Sequence, residues 1–500
     1  MVNINKRIDD FTVVVNAGTS LSDNSSDLLG YGGPIRDTGV PNVFNVFDLD
    51  NAKKRATQEG WEEMTQSIFA SAEIGWKSML YLTLTGRNDW ASQLKGSNPT
   101  SFFYPSVGLS AVISEMVTLP KAIDYLKVRG SFSSVGTPYP RFLVQPTYSY
   151  DPTKQDWNAK THYPIGKLKP ERTDSWEIGV DGTFFKDFKV SGSFYYANTY
   201  NQTFDPKITV SSGYSTLYVQ TGYVRNLGVE GLLSYGHTWR DFGWNCNFTF
   251  SWNKNKIVEL VKDYVHPETG EIVNKDRLEL KGLGYTKFIL KEGGTLGDLY
   301  TNADFIRDDK GYIQIDKNGD VAKTDNLPDI KLGSVFPKAN LAWNNSFSYK
   351  GIYAGFQLSA RLGGIVYSAT QAALDQYGVS EASAAARDRG GVLVNGRSWV
   401  NAQQYYEIVA TSSGLPQYYT YSATNLRLQE AHIGYTIPRK WLGNICDINV
   451  SVVGRNLWMI YCKAPFDPEA IATTSNFYQG IDYFMMPSTR NFGFNVKINF

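Results

Sequence analysis

The residues from Arg490 to Phe500 alternate without a break. Phe492, Phe494, Val496, Ile498 and Phe500 fall on one parity, and Asn491, Gly493, Asn495, Lys497 and Asn499 fall on the other. A period of two marks a β-strand with one apolar and one polar face, because successive side chains point to opposite sides of the pleat. A strand about ten residues long, apolar toward hydrocarbon and polar toward a water-filled lumen, is the unit of a transmembrane barrel.

Composition agrees with it. The 500 residues include 32 Tyr, 27 Phe, 12 Trp and 45 Gly, with 19% charged residues, and the mean hydropathy is -0.31. No stretch approaches the eighteen or so consecutive apolar residues of a membrane helix; LWMIYC, Leu457 to Cys462, is typical of the longest. A net charge of +1 gives no hint of a nucleic-acid partner. The three cysteines, Cys246, Cys446 and Cys462, show no CxxC spacing. Cys246 shares the apolar parity of its strand, which suits a buried or lipid-facing thiol better than a metal ligand. Met1 to Asp10 (MVNINKRIDD) has no apolar h-region and no small-residue cleavage site, so it does not read as a signal peptide. The expectation is a chain that is not exported as it stands, or one lacking its N-terminal part.

The same alternation recurs along the chain. Phe11–Leu21 is the first strand; Glu63–Gly75 and Met79–Asp89 form a hairpin; Trp176, Ile178, Val180 and Phe184 oppose Ser175, Glu177, Asp181 and Thr183. Trp244, Cys246, Phe248, Phe250 and Trp252 alternate with Asn245, Asn247, Thr249, Ser251 and Asn253. The count is about 14 strands. Their connections alternate short and long, with long stretches at about 22–62, 136–170, 204–222, 262–337, 364–425 and 463–489. Outer-membrane barrels have this asymmetry, tight turns on the periplasmic side and long loops outside. In LRLQEAHIGYTI the apolar parity switches between Leu428 and Ala431, which predicts a β-bulge.

Three blocks near the end, TNLRLQEAHIGYTIP (Thr424–Pro438), VVGRNLWMIYCKAPFDPEA (Val452–Ala470) and PSTRNFGFNVKINF (Pro487–Phe500), resemble the C-terminal barrel strands of SusC/RagA-like TonB-dependent outer-membrane transporters. Earlier blocks are similar to the same family: YPSVGLSAVISEM (Tyr104–Met116), LKPERTDSWEIGVDGTFF (Leu168–Phe185), VRNLGVEGLLSYGHTW (Val224–Trp239) and EGGTLGDLYTNADF (Glu292–Phe305). The resemblance implies an all-β fold: an antiparallel transmembrane β-barrel spanning residues 1–500, the C-terminal part of a barrel of about 22 strands, with the plug domain absent. It further implies import of glycan oligomers or peptides across the outer membrane of a Gram-negative, Bacteroidetes-like bacterium. The implied partners are TonB, engaged through the N-terminal part, a SusD-like surface lipoprotein, and outer-membrane lipid. No cofactor and no catalytic residue is implied. Two other readings remain open: a self-closed passive porin of about 14 strands, and a soluble carbohydrate-binding β protein whose apolar parities pack on a second sheet.

Candidate ligand-binding residues are the aromatics on the long loops: Trp157, Tyr163, Tyr214, Tyr218, Tyr405, Tyr406, Tyr418 and Tyr419. A flat ring with a polar tip can stack on a sugar or grip a peptide while staying wet. The same rings also suit a bilayer-interface girdle or packing between loops. Asp316, Asn318 and Asp320 resemble the opening of an EF-hand loop, but Val321 stands where the pattern needs Gly and Leu327 where it needs Glu. A hairpin tip at Asn318-Gly319 explains them better, with calcium a minor possibility. Asp467-Pro468-Glu469 reads as a turn. The four histidines are scattered, and no Ser/His/Asp array or phosphate cradle appears. Lumen-facing Arg129, Arg361, Lys189 and Lys497 are expected to pair with Glu177, Asp181 or Glu230 across strands.

Overall fold

The computed structural model describes residues 1–37, 43, 45–96, 99–143, 149–151, 156–158, 169–204, 219–265, 270, 272–474 and 479–499. Fifteen antiparallel strands form one continuous sheet, each hydrogen-bonded to its neighbours in chain order. They are β1 (Val2–Ile8), β2 (Phe11–Gly32), β3 (Arg55–Trp76), β4 (Leu80–Ala91), β5 (Phe102–Val112), β6 (Ile123–Thr137), β7 (Glu171–Phe184), β8 (Phe188–Phe204), β9 (Val219–Trp239) and β10 (Phe242–Glu259). The series continues with β11 (Ala339–Tyr349), β12 (Ile352–Leu362), β13 (Asn425–Ile437), β14 (Asp447–Cys462) and β15 (Asn491–Asn499).

The strand count is fifteen rather than about fourteen, because β1 is a strand in its own right, with Val2 and Ile4 alternating with Asn3 and Asn5. Strands β2 and β3 also run longer than the alternation indicates. These two pair over 22 residues, from Phe11 opposite Trp76 to Gly32 opposite Arg55, which narrows the connection expected at 22–62 to 33–54. From Ser22 to Asp27 the chain is polar on both faces, so the period-two signal fades although the ladder continues.

Short connections turn tightly. Lys77 and Ser78, Phe185 and Lys186, and Lys350 and Gly351 all take positive φ; the last pair is a two-residue turn whose twist matches the flanking strands, and the loops 77–79 and 185–187 have three residues. At Gly351 (φ 88°) a Cβ would lie 3.1 Å from the Thr436 carbonyl oxygen, so the turn demands glycine. The predicted bulge is present. The register slips between Gln357 and Leu358 against β13, and again between Leu428 and Glu430 against β14.

Registers place the apolar parities in rows across the wall. Val107, Phe132, Trp176, Tyr196 and Leu227 form one such row; Phe248, Trp343, Leu358, Leu428 and Trp458 form another. These side chains have no core beneath them. Ile178 is 65% exposed, Phe494 69% and Phe492 75%. Water would penalise such a surface by about 25 cal/mol for every Å² of apolar area, so the face is built for a different solvent.

Near the short turns the aromatics meet in a belt: Phe188 tilted against Tyr235 at 4.6 Å, Tyr235 edge-on to Trp244 at 5.2 Å, Trp239 stacked on Phe242 at 6.0 Å, and Tyr435 tilted against Trp441 at 6.3 Å. Trp244 and Trp252 lie eight residues apart on one face of β10. That is about 26 Å along the strand, or ~20 Å across a bilayer for a strand tilted by about 40°. Aromatic girdles flanking an apolar band of about 25 Å are the signature of a membrane barrel.

Buried apolar residues collect elsewhere. Leu278, Phe288, Leu290, Leu299, Val335, Val394, Val400, Val409, Leu415 and Ile481 form one cluster, all contributed by the long connections 260–338, 363–424 and 463–490. Among the described residues the wall adds to it at strand tips, through Ala91, Val224 and Ile257. The protein is therefore a two-faced wall surmounted by a packed crown. Among the described residues no helix is long and apolar enough to cross a membrane.

Candidate functional site

Three eight-residue helices organise the middle of the crown: α1 (Ala369–Gln376), α2 (Glu381–Asp388) and α3 (Ala402–Val409). The alanine-rich stretches ATQAALDQ and EASAAARD favour helix. Each helix starts on a side-chain cap. Ser368 Oγ accepts from Gln371 N, Ser380 Oγ from Ser383 N, and Asn401 Oδ1 from Gln403 N and Gln404 N.

The structure brings four of the predicted aromatics together here. Tyr405 and Tyr418 flank Phe305 of the neighbouring connection at 6.3 and 5.3 Å, and Tyr405 and Tyr406 meet edge to face at 5.3 Å. Tyr419 is buried (4% exposed) and donates its hydroxyl proton to Asp375 Oδ2 at 2.9 Å. Burial pushes the Tyr405 phenol up to about 12, with the neighbouring tyrosines and Asp375 adding to it. Tyr419 lies well above its ordinary value, through burial and then the Asp375 charge. Both remain protonated at physiological pH, and Tyr419 acts as a donor.

Trp157 stands in a separate two-stranded ribbon, Ser149–Asp151 with Asp156–Asn158, where it meets Tyr150 edge-on at 5.3 Å and is 62% exposed. Tyr163, Tyr214 and Tyr218 lie outside the described residues.

Asp316, Asn318 and Asp320 close a hairpin bridged at Ile315 and Val321. The Asp316 carboxylate accepts from the backbone N–H of Asn318 (2.8 Å) and of Asp320 (3.0 Å), and Gly319 takes φ 88°. Among the described residues no three metal-ligating side chains converge.

Carboxylates that the sequence shows only as turn formers, or does not mark at all, pin the crown to the wall and one crown connection to another. Arg427 of β13, 5% exposed, holds Asp467 through two nitrogens at 3.1 and 2.7 Å and Glu469 at 3.3 Å. Burial alone would raise the Asp467 carboxyl. The Arg427 guanidinium, the Glu469 N–H and the Ser488 hydroxyl outweigh it and hold the group below the usual carboxylate range. Further along the same connection, Asp482 accepts from Ser368 Oγ (2.5 Å) and Thr370 Oγ1 (3.0 Å). Asn395, at a hairpin tip, locks onto Ile313 by accepting from its N–H (2.9 Å) and donating to its carbonyl (2.8 Å).

On the polar face of the wall, Arg129 pairs with Asp181 (2.5 Å) and Glu177 (3.5 Å), and Ser191 Oγ donates to Asp181 at 2.6 Å, as expected of cross-strand partners. Arg361 departs from that expectation: its guanidinium donates to the Val335 carbonyl at 2.8 Å. Large side chains on this face lie over cross-strand glycines. Tyr195 covers Gly228 and Tyr353 covers Gly434, so closely that a Cβ at either glycine would come within 2.5 and 2.4 Å of the covering ring, respectively.

A two-faced antiparallel wall with aromatic belts, tight turns on one rim and a packed crown on the other defines an outer-membrane β-barrel. The sequence profile described as "TonB dependent receptor-like, beta-barrel" matches residues 5–457. The chain belongs to that family. It is 24% identical over 463 residues to TonB-dependent receptor P3 of Formosa agariphila, an alignment covering 86% of this chain and 45% of that protein. It is also 24% identical over 246 residues to TonB-dependent receptor SusC of Bacteroides thetaiotaomicron, covering 44% of this chain and 24% of SusC. Its fold is similar to that of the RagAB peptide importer in the open-open state, with TM-score 0.74 and 16% identity over 100% of this chain and 54% of that one. The chain thus spans about half the length of relatives that it matches nearly end to end.

Proposed function

We propose that this chain forms the C-terminal wall and crown of a TonB-energised importer in the outer membrane, carrying glycan oligomers or peptides and working with a SusD-like surface lipoprotein. The observation that carries the reading is the crown. Three connections packed by one apolar cluster and pinned by Arg427 and Asp482 make a preorganised outer surface, whereas a passive pore needs only an open lumen. In this reading the wall faces lipid, the polar face lines the lumen, and Tyr405, Tyr406 and Tyr418 form part of the ligand-contacting surface, while Tyr419, buried on Asp375, supports them from beneath.

The sheet supports a composite barrel over a self-closed porin. Among the described residues β1 pairs only with β2, and β15 only with β14. In a fifteen-strand antiparallel meander the first and last strands run in the same direction, so closing on itself would require a parallel seam. Lipid does not tolerate open edges. Further strands therefore complete the barrel; against a total of about 22, with 15 here, about seven remain.

The test is uptake of labelled oligosaccharides and labelled oligopeptides by cells with and without the gene, each with and without a proton-motive-force uncoupler. The reading expects one ligand class to enter only when both gene and proton-motive force are present. Uptake indifferent to the uncoupler would favour the passive porin and sink the importer.

A further inference from the structure

Between the three crown helices lies a cavity of about 340 Å³, at the small end of the range for ligand sites. Asp375 of α1 lines it, together with Tyr377 just beyond α1, Arg387 of α2, and Tyr406 and Glu407 of α3. Asp375 is only 7% exposed. Its oxygens accept from neutral donors, the Tyr419 hydroxyl at 2.9 Å and the Gln371 amide at 3.3 Å. No lysine, arginine or histidine pairs with it among the described residues. A buried carboxylate is ordinarily matched by a cation, because removing its charge from water costs several kcal/mol. Glu407 adds a second carboxylate at the same cavity and is held by Gln403 Nε2 at 2.7 Å. Arg387 lines the same cavity and donates from Nη1 to the Gly378 carbonyl at 2.6 Å, so two carboxylates face one guanidinium and the lining keeps a net negative charge.

We propose that this cavity binds a primary ammonium group, with Asp375 and Glu407 as its anionic walls and the Tyr406 and Tyr377 rings beside it. Carboxylates supply the charge match and the ring faces supply a cation–π contribution. An ammonium has three donors in a compact head, which suits two carboxylates approached from different helices better than a neutral hydroxyl does. The ordered caps of α1, α2 and α3 fix the walls before any ligand arrives, so little ordering cost falls on binding. The field of Asp375 also registers on the surrounding phenols, raising Tyr406 and Tyr421 after burial has done the larger part. The inference rests on the importer reading for its purpose, but its test reads binding alone.

A peptide N-terminus, a lysine side chain and an amino sugar all carry the group. The experiment therefore uses three matched pairs on the complete receptor purified in detergent. These are glycylglycinamide and its N-acetyl form, Nα-acetyl-lysine amide and its Nε-acetylated form, and glucosamine and N-acetylglucosamine. Titration calorimetry should show, in at least one pair, the free amine binding at least tenfold tighter than its acetylated twin; which pair responds names the source. Glu407→Gln and Asp375→Asn should each weaken that binding about tenfold. Glu407 is on the exposed side of α3, so its variant keeps the fold and decides the matter if Asp375→Asn does not assemble. Equal affinity for amine and acetylated probes overturns the proposal, as does unchanged amine affinity in Glu407→Gln. Either result obtained alongside intact uptake removes this inference and leaves the importer reading standing.

Discussion

Replacing Arg427 by methionine removes the charge that anchors the last long connection to β13 while keeping the volume. The two partners are almost fully enclosed, with side-chain exposures of 6% for Arg427 and 9% for Asp467. Breaking a buried pair by removing one member typically costs about 3–5 kcal/mol, because the other charge stays behind without compensation. At about 1.4 kcal/mol per tenfold change, the opening equilibrium of residues 463–474 should rise by at least ~100-fold. Hydrogen–deuterium exchange of that segment reads the change directly. The wall ladders around β13 should keep their protection, since their backbone bonds are untouched. The double variant Arg427→Met with Asp467→Asn should recover part of the loss, because no charge is then buried alone. Unchanged exchange in Arg427→Met, or a double variant no better than the single, refutes the clamp. Acid probes the same contact: the Asp467 carboxyl is held low when folded, so its stabilisation is present above the ordinary carboxylate range and is lost as pH falls through the folded value. Protection of 463–474 in the wild type, taken relative to the intrinsic amide exchange rate at each pH, should thus stay flat down to about pH 4, the unfolded aspartate range, and fall only below it.

Other consequences follow from the two faces and the crown. Phe494→Lys on the apolar face of β15 should cost about 2–4 kcal/mol in a urea-titrated lipid-vesicle refolding assay, and Asn495→Lys beside it close to nothing. Gly228→Val would place its Cβ 2.5 Å from the Tyr195 ring and the Trp252 carbonyl oxygen, and should lower stability by about 1–3 kcal/mol in the same assay; Tyr195→Ala in that background should restore part of it. Asn395→Ala frees both backbone groups of Ile313 and should cost about 1–3 kcal/mol, seen as faster proteolysis of the 306–321 hairpins with the wall intact.

The wall is legible in the sequence because lipid and water impose a period of two that no soluble helix reproduces. Trp244 to Trp252 and Phe492 to Ile498 announce themselves. The signal fails where both faces meet water. Ser22–Ser26 and Arg55–Gly60 remain paired in β2 and β3, yet nothing distinguishes their parities. Short strands such as Val2–Ile8 offer too few apolar positions to be read. The crown is legible only by residue type. Tyr405, Tyr406, Tyr418 and Tyr419 stand out as aromatics, but their meeting with Phe305 and Asp375 depends on contacts across more than forty residues. Arg427 carries a weak signal, a cation on a strand just where the parity switches. Asp375 and Asn395 carry none, because a helical aspartate and an Asn-Gly turn look alike whether or not they anchor a loop.

The central claim is that alternate residues of each strand meet hydrocarbon and water. Nitroxide labels placed singly along Asn491–Asn499, in a background lacking Cys246, Cys446 and Cys462, would measure it in reconstituted membranes. Positions 492, 494, 496 and 498 should be accessible to dissolved oxygen and shielded from a water-soluble nickel chelate, with 493, 495 and 497 showing the reverse. Collision profiles that rise and fall together along the strand would contradict the account.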